Sequence, residues 1–400
     1  MRVLHVTPYY EPAYVYGGPV RSVAALCRAL RVAGAEIAVY TTTANGKSDV
    51  EVPAKVIANG IEIHYFPRSM PRSRFTAPGL SRAVSERVCE FDIVHVTGLW
   101  TKPVAVAALA ARKAKVPYVV SPRGMLMSWE LSHKAWKKQP YLYLRELPRL
   151  RRSAAIHCTS PQEKRALSRF GLDGSGFVVP NIVDAAEFDT MPERMESRKR
   201  LRVPENVPVL LLLGRLHGKK GIEDTLESFR RLVALGSSAH LMVVGPDEGN
   251  YRDRIADWQS KCGLSNRVHV TGALTGPERL AAFAASDVFI SLSESENFSM
   301  ATAEAMAAGL PVVVSPGVGL GPWIEEAGAG VVIERDPDAV VAVLQDILSH
   351  PDHRATFGAR GRAMVRRTFS AAAVGSAMLA AYQGIVYDYR SRPTARTASN

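Results

Sequence analysis

The sequence predicts an α/β protein with two doubly wound parallel sheets, and three observations lead there. Short runs rich in Val, Ile and Leu alternate with helical stretches along the chain, the rhythm of strands buried on both faces and joined by crossover helices. The alternation runs twice, interrupted once between Val178 and Pro208 by a stretch dense in proline and charge, which reads as a break between domains. At 400 residues the chain is too long for one ordinary core and suits two.

In the first series "RVLHVTP" is a strand, "GGPVRSVAALCRALRVAG" an amphipathic helix ending at Gly34, and "AEIAVYTT" a second strand. "IEIHYFP", "DIVHVTG", "YVVSPRG" and "AAIHCTS" follow as four further β-branched runs. The interruption carries one short helix. The second series begins with "VLLLLGRL", then a helix through "EDTLESFRRLVALG", and "HLMVVGP", "RVHVTGAL", "DVFISLS", "LPVVVS" and "AGVVIE" as strands, mostly separated by helices. Asp336 in "DPD" reads as a helix N-cap. Two Rossmann-like halves follow: residues 1–185, and residues 205–370, with a last helix over about 371–389 and a disordered polar tail at 390–400. Ligands of such sheets bind beyond the carboxyl ends of the strands, so the two domains are expected to face each other across a cleft.

The composition, 47% apolar and 22% charged with mean hydropathy near zero, is that of a soluble globular protein. No apolar run reaches the roughly 18 residues of a membrane helix. The start, "MRVLHVTPYY", enters a strand without the apolar region of a signal peptide. Cys27, Cys89, Cys158 and Cys262 lie far apart with no C-x-x-C pair, which suggests neither a zinc site nor a disulfide framework and makes a reducing cytoplasm the expected compartment. Residues 1–200 hold 30 Lys and Arg against 17 Asp and Glu, whereas residues 201–400 hold 20 against 21, so the positive charge belongs to the first half. It peaks between Arg112 and Arg152, where 11 cations meet 2 acids and interleave with aromatics and leucines. A solvated face, a nucleic-acid patch and an anionic lipid surface all fit. With no nucleic-acid motif in the chain, lipid is favoured over nucleic acid.

Three stretches carry chemistry. "GRLHGKKG" (Gly214 to Gly221) follows a buried strand and precedes a helix. Arg215 and Lys220 project from it and suit a diphosphate, unless they are simply solvated; the ending of a Walker loop is missing. In "SESENFSMATAEAMAAG" Ser299 is a plausible N-cap, and the N–H groups of about Phe298, Ser299, Met300 and Ala301 can hold phosphate. Glu296 lies before that helix and Glu304 about two turns along it. The two carboxylates can therefore accept hydroxyls at opposite ends of one extended ligand with phosphates between, the layout of a nucleotide sugar. Alternatively, Glu304 sits on a solvated face and the acid before the helix serves its dipole. In "YYEPAYVYGGPVRSV", Gly17 and Gly18 let backbone approach a ligand closely, while the tyrosines can stack on sugar or simply pack. No histidine spacing such as H-x-x-x-H and no metal-binding Asp-x-Asp occurs, so neither metal nor cofactor is expected.

These residues together resemble the family 4 retaining glycosyltransferases of GT-B fold: Gly17-Gly18, Arg215 and Lys220, the E-x7-E pair Glu296/Glu304 followed by "EAMAAGLPVV", then "GPDEG" and "GLGPWIEEAGAGVVI". The resemblance spans nearly all of residues 1–390. "SPRGML" (Ser121 to Leu126) with Trp129, Lys134, Lys137 and Lys138 is similar to an exopolysaccharide and O-antigen subgroup.

The resemblance implies that Arg215 and Lys220 bind the donor diphosphate, Glu296 the transferred sugar, and Glu304 the ribose. It implies a donor site mainly on the C-terminal domain, with Gly214 and Asn297 in its loops, an acceptor site on the N-terminal domain, and a last helix crossing back onto that domain. It also implies retention of configuration by a front-face route, with Glu296 binding hydroxyls instead of acting as nucleophile. Arg123 stands where many members have histidine, and Asn297 and Ser299 stand where glycines are common. The implied acceptor is a glycan, carried on a polyprenyl diphosphate at the inner face of a membrane, where the enzyme would sit peripherally on anionic lipid; specific nucleic-acid binding is not implied. The alternatives are a nucleotide-sugar epimerase of the same fold, and a non-catalytic protein binding sugar nucleotides or polyanions.

Overall fold

A computed structural model describes residues 1–391, and the chain divides into two compact units, residues 1–182 with the C-terminal helix, and residues 183–370. The first unit holds strands β1 (Arg2–Val6), β2 (Glu36–Thr42), β3 (Lys55–Ala58), β4 (Ile61–Phe66), β5 (Ile93–Thr97), β6 (Tyr118–Ser121), β7 (Ala155–Cys158) and β8 (Gly176–Val178), in the spatial order β8-β7-β6-β5-β1-β2-β4-β3. All neighbours are parallel except the edge strand β3, which pairs antiparallel with β4. The chain winds outward from β1 to β4, then restarts on the other side at β5. The switch point thus lies between β1 and β5, and the loop holding Gly17 and Gly18 leaves β1 there. Every residue of β5, β6 and β7 is buried, the mark of strands covered on both faces.

The second unit repeats the plan with β9 (Val209–Leu213), β10 (His240–Val244), β11 (Val268–Gly272), β12 (Val288–Ser291), β13 (Val312–Val314) and β14 (Gly330–Val332), ordered β11-β10-β9-β12-β13-β14 and parallel throughout. Its switch point lies between β9 and β12. Asp336 caps the next helix as its sequence suggests, accepting from the Ala339 N–H at 2.8 Å.

Three features depart from the sequence reading. The stretch before Pro208, read as a linker, packs from Val183 onward in the second unit. Val183, Phe188 and Val203 are core residues there, and Arg198 is buried with its guanidinium on Asp287 Oδ2 (2.9 Å) and the Val207 carbonyl (2.8 Å). A stretch dense in charge can still pack inside, because a planar guanidinium with enough acceptors can be interior. The short strands β3 and β8 and the hairpin Ala44–Asn45 with Ser48–Asp49 carry too little pattern to read. The last helix runs Ala371–Ser391, so the two residues at the start of the expected tail are helical; residues 392–400 lie outside the described residues.

That last helix packs on helix Gly18–Val32 within the first unit. The approach is close because Gly375 has no side chain: a Cβ there would stand 2.7 Å from the Ala29 carbonyl oxygen. From the same helix Tyr382 reaches the sheet core and hydrogen-bonds His95 Nδ1. His5 and His95 face each other across β1 and β5, with rings 4.6 Å apart, and His157 lies 5.3 Å beyond. His5 Nε2 pairs with Thr97 Oγ1, and His157 Nε2 donates to the Val179 carbonyl, each at 2.8 Å. Burial first, then the Arg123 guanidinium, push His5 and His157 down to about 3, and burial drives His95 well below its ordinary value.

Unfolded histidine binds a proton near pH 6.5, so these sites leave stability intact above that pH and drain it as pH falls toward 3. The loss approaches about 1.4 kcal/mol per pH unit for each site. Urea midpoints are therefore expected to fall steeply between pH 6.5 and 5, and His157→Gln, which keeps a donor for Val179, should make that slope shallower by about one proton's worth.

Candidate active site

The switch point of the second unit brings together two loops far apart in sequence. After β9 the chain makes one 3-10 turn, Gly218–Lys220, before helix Ile222–Ala234; after β12 it runs through Glu294 and Glu296 to helix Met300–Ala308. The loops touch through backbone, the Glu294 N–H donating to the Lys219 carbonyl at 2.8 Å. Gly221 permits this. Its φ is +63°, and a Cβ would stand 1.9 Å from the Leu292 carbonyl oxygen, which no side chain can tolerate. On its other side the Glu296 backbone is locked to the loop after β13: its N–H donates to the Gly317 carbonyl (2.9 Å) and its carbonyl accepts from Gly319 (2.8 Å).

Held this way, the Glu296 carboxylate meets the Lys220 ammonium at 2.8 Å, each side chain only 15% exposed. Arg215, from the same loop as Lys220, turns to Glu248 of "GPDEG" at 3.2 Å in a solvated pair. Gly214 leaves β9 with a positive φ directly beside the Lys220 ammonium. Ser299 occupies the N-cap position, as expected, but does not cap in the expected way. It is left-handed (φ +68°), and its Oγ bonds Thr302 Oγ1 at 2.7 Å instead of a backbone N–H. Met300 and Ala301 open the helix with N–H groups that have no intrahelical acceptor by position. Phe298 contributes backbone alone, since its ring is buried against Trp323 and Phe369; Asn297 stands between it and Glu296.

Glu304 lies further along the helix and is held by Arg279, whose Nη1 approaches at 2.6 Å while Nη2 donates to Glu187 at 2.6 Å. Burial alone would lower the Arg279 guanidinium; the two carboxylates hold it above its ordinary value. Arg279 escaped the sequence reading because its partners are 25 and 92 residues away and no local spacing announces them. The two acids of the E-x7-E pair therefore have separate cationic partners.

The other expected site residues belong to the first unit. Gly17 (φ +71°) is the N-cap and Gly18 the first residue of the helix after β1, and both have open space where a Cβ would stand. The neighbouring aromatics mostly pack: Tyr9 stacks on Tyr16 at 4.1 Å and Tyr10 is buried. Arg123 follows β6 in a left-handed conformation and donates through Nη1 to Asn181, while its Nε and Nη2 are buried without a partner. Its loop is pinned by buried Glu163, which accepts from the Gly124 N–H (2.5 Å) and the Thr159 N–H (2.7 Å). Glu163 is also the fourth residue of the capping box "SPQE", with Ser160 Oγ accepting from its N–H, so its position is signalled by the sequence itself. Further on, Lys138 donates to the Glu130 carbonyl, Lys137 lies over Trp136 at 4.6 Å, and Trp129 stacks on His133.

Known proteins share this architecture. The family described as glycosyl transferases group 1 matches residues 193–364, and the glycosyl transferase 4-like domain matches residues 17–181; together they span most of the chain. The chain belongs to the group 1, GT4-like glycosyltransferases. Among curated relatives, the D-inositol 3-phosphate glycosyltransferase of Kineococcus radiotolerans is 29% identical over 58% of this chain and 57% of its own length, so that match spans little more than half of the relative. The GDP-mannose-dependent monoacylated alpha-(1-6)-phosphatidylinositol monomannoside mannosyltransferase of Corynebacterium glutamicum is 25% identical over 84% of this chain and 86% of its own. Anabaena HepE, solved with UDP, superposes with a TM-score of 0.75 at 18% identity, over 96% of this chain and all of that one, which establishes the GT-B fold. In this glycosyltransferase Lys220 and Glu296 meet in the loops before helix Met300–Ala308, and Glu304 lies within that helix on Arg279.

Gly221→Ala in this glycosyltransferase should force the two loops apart. We expect a loss of about 2–4 kcal/mol, from left-handed strain and overpacking together, read as a lowered urea midpoint with unchanged slope.

Proposed function

We propose that this glycosyltransferase moves a sugar, with retention of configuration, from a nucleoside-diphosphate sugar to a glycan acceptor carried on a lipid. The observation that carries the reading is the Lys220–Glu296 pair at 2.8 Å beside the start of helix Met300–Ala308. A donor diphosphate arriving at that helix start competes for the Lys220 ammonium. Glu296, released from its partner, is then free to accept hydrogen bonds from the sugar hydroxyls. Glu304, oriented by Arg279, accepts from the ribose. Arg215 exchanges Glu248 for phosphate, and Gly214, Asn297 and the N–H groups of Phe298 to Ala301 complete the cradle. Gly17, Gly18 and Arg123 serve the donor from the first unit, Arg123 as a permanent cation that cannot act as a base.

In the reaction the bond from the anomeric carbon to the leaving phosphate oxygen breaks and a bond to the acceptor oxygen forms on the same face. The acceptor's hydroxyl proton passes to the departing phosphate. Fixed cations and helix-start amides stabilise the charge that develops there, without metal. HepE, crystallised with UDP, and the GDP-mannose-dependent relative support a nucleoside-diphosphate donor. A lipid-linked acceptor is supported by that relative's name, a mannosyltransferase of monoacylated phosphatidylinositol monomannoside, and by the basic stretch of the first unit; the proposed setting is bacterial surface or exopolysaccharide synthesis, on the likeness of "SPRGML". There a groove of about 500 Å³ is lined by Trp100, Lys102, Arg112, Tyr141, Arg145 and Arg149, and Trp136, Tyr143 and Leu144 are exposed nearby in the sequence. Among the described residues no single helix is long and apolar enough to cross a membrane; the proposed location is peripheral, on anionic lipid at the cytoplasmic face.

Lys220→Ala and Glu296→Ala are each expected to lower transfer by about 10²–10³ while leaving the melting curve of a folded protein. Turnover near wild type in both would overturn the assignment. An NMR spectrum of the product should show the donor's anomeric configuration, and transfer should persist in EDTA.

A further inference from the structure

Outside the site described, helix Pro337–Ser349 ends against helix Pro351–Met364 in the second unit. At that corner Asp346, His350 and His353 converge, their ligand atoms all within 4.8 Å of one another. Asp346 and His350 are one helical turn apart and so share a face; Pro351 starts the next helix, and His353 returns from its first turn. His350 Nδ1 lies 3.1 Å from Asp346 Oδ1, and His353 Nδ1 lies 3.4 Å from Asp346 Oδ2. The two imidazoles stack at 4.9 Å. The sequence reading sought paired histidines four apart and passed over this D-x3-H-x2-H spacing.

We propose that these three residues form a surface site for a borderline divalent transition metal, with Zn²⁺ the best fit. Bonds of about 2.0–2.1 Å in a tetrahedral site place neighbouring ligand atoms roughly 3.3 Å apart, close to both nitrogen–oxygen distances already present. Two imidazoles and one carboxylate suit Zn²⁺, Ni²⁺ or Cu²⁺ far better than Mg²⁺ or Ca²⁺, which prefer oxygen. The backbone is already set: the His350 N–H donates to the Asp346 carbonyl and the His353 N–H to the His350 carbonyl, both at 3.1 Å. The end of the first helix supplies negative potential to a cation. Arg354, the nearby cation, is occupied by the Ile347 and Leu348 carbonyls at 2.8 and 2.6 Å. Without metal the His350 Nδ1 carries the proton and donates to the Asp346 carbonyl at 2.8 Å; for a metal to bind there, the ring takes its Nε2–H tautomer, which frees the Nδ1 lone pair and gives up that contact. The ion ties the two helices at their junction and leaves water in its remaining position.

Isothermal titration of the untagged full chain with ZnCl₂ is expected to show one equivalent bound, with MgCl₂ giving no heat at the same concentration. Co²⁺ should produce the visible absorption of a low-symmetry nitrogen–oxygen site. Loss of even an outer partner of a metal ligand costs about 10–100-fold in affinity, so H350A/H353A should weaken Zn²⁺ binding by at least that much. All three side chains are more than half exposed, so the metal-free melting temperature of that variant should match wild type; if it falls, Asp346→Asn gives the same comparison with both rings kept. Absence of Zn²⁺ binding, Mg²⁺ binding of equal strength, or Zn²⁺ binding unchanged by these substitutions would overturn the proposal. Glycosyl transfer is read separately and does not enter the result.

Discussion

The reversal of strand order between β9 and β12 is the constraint on which the candidate site depends. In a parallel sheet every strand points the same way, so all its outgoing loops emerge at one end. Where successive strands are laid on one side only, each loop is covered by the helix that follows it. Where winding changes direction, the two flanking loops part and leave room between them. Here those loops carry Lys220 and Glu296. Their approach is limited by backbone, with Glu294 bonded to Lys219 and Gly221 against Leu292. Little freedom remains, and the two side chains meet as a consequence of topology.

The ion pair formed there has a particular electrostatic character. Both partners are mostly withdrawn from water, so neither can lose the other without a cost that a surface pair would not incur. A phosphate that displaces Glu296 from Lys220 must supply equal or better coordination, and a carboxylate so displaced must find donors of its own. A ligand with anionic and hydroxyl-bearing groups a short distance apart meets both demands at once; free phosphate or free sugar meets only one. Glu304 illustrates the complementary case. Arg279 fixes its orientation and is itself shared with Glu187, so the direction of the Glu304 carboxylate is set by a cation that the packing of the domain already holds in place. One acid is held by a partner that can be exchanged, the other by a partner built into the fold.

Most of the fold was legible because burial on both faces leaves contiguous β-branched runs, and each long run proved to be a strand. What escaped was short or charged. The strands β3 and β8 are four and three residues long, below any useful period. Residues 183–204 look solvated by composition, and only tertiary contacts show Arg198 inside with Asp287. At the site, Lys220, Glu296 and Glu304 could be singled out from spacing and neighbourhood. Arg279 could not, because its role is created by packing. Ser299 was placed rightly but given the wrong partner: a left-handed backbone turns its hydroxyl toward Thr302, a distinction that lies in φ and not in residue type. The histidines of β1, β5 and β7 lie far apart in sequence, and only strand order brings them together.

The division of charge between the units bears on what the first one does. The groups proposed to receive a diphosphate in the second unit are few: Lys220, the solvated Arg215 and the start of helix Met300–Ala308. The excess of cations lies in the other half of the chain, concentrated between Arg112 and Arg152, and it is not spent on internal pairing, since that stretch holds only Glu130 and Glu146 as acids. Glu146 is buried and already joined to Arg149 and the Trp100 N–H. A solvated face would account for unpaired lysines and arginines, but not for Trp136, Tyr143 and Leu144 standing 75%, 61% and 73% exposed among them. Apolar side chains gain nothing from water, whereas cations interleaved with aromatics suit the boundary between lipid headgroups and acyl chains. That boundary is where a lipid-carried acceptor would lie, which is the physical reason the proposal assigns the acceptor to the first unit and the soluble donor to the second.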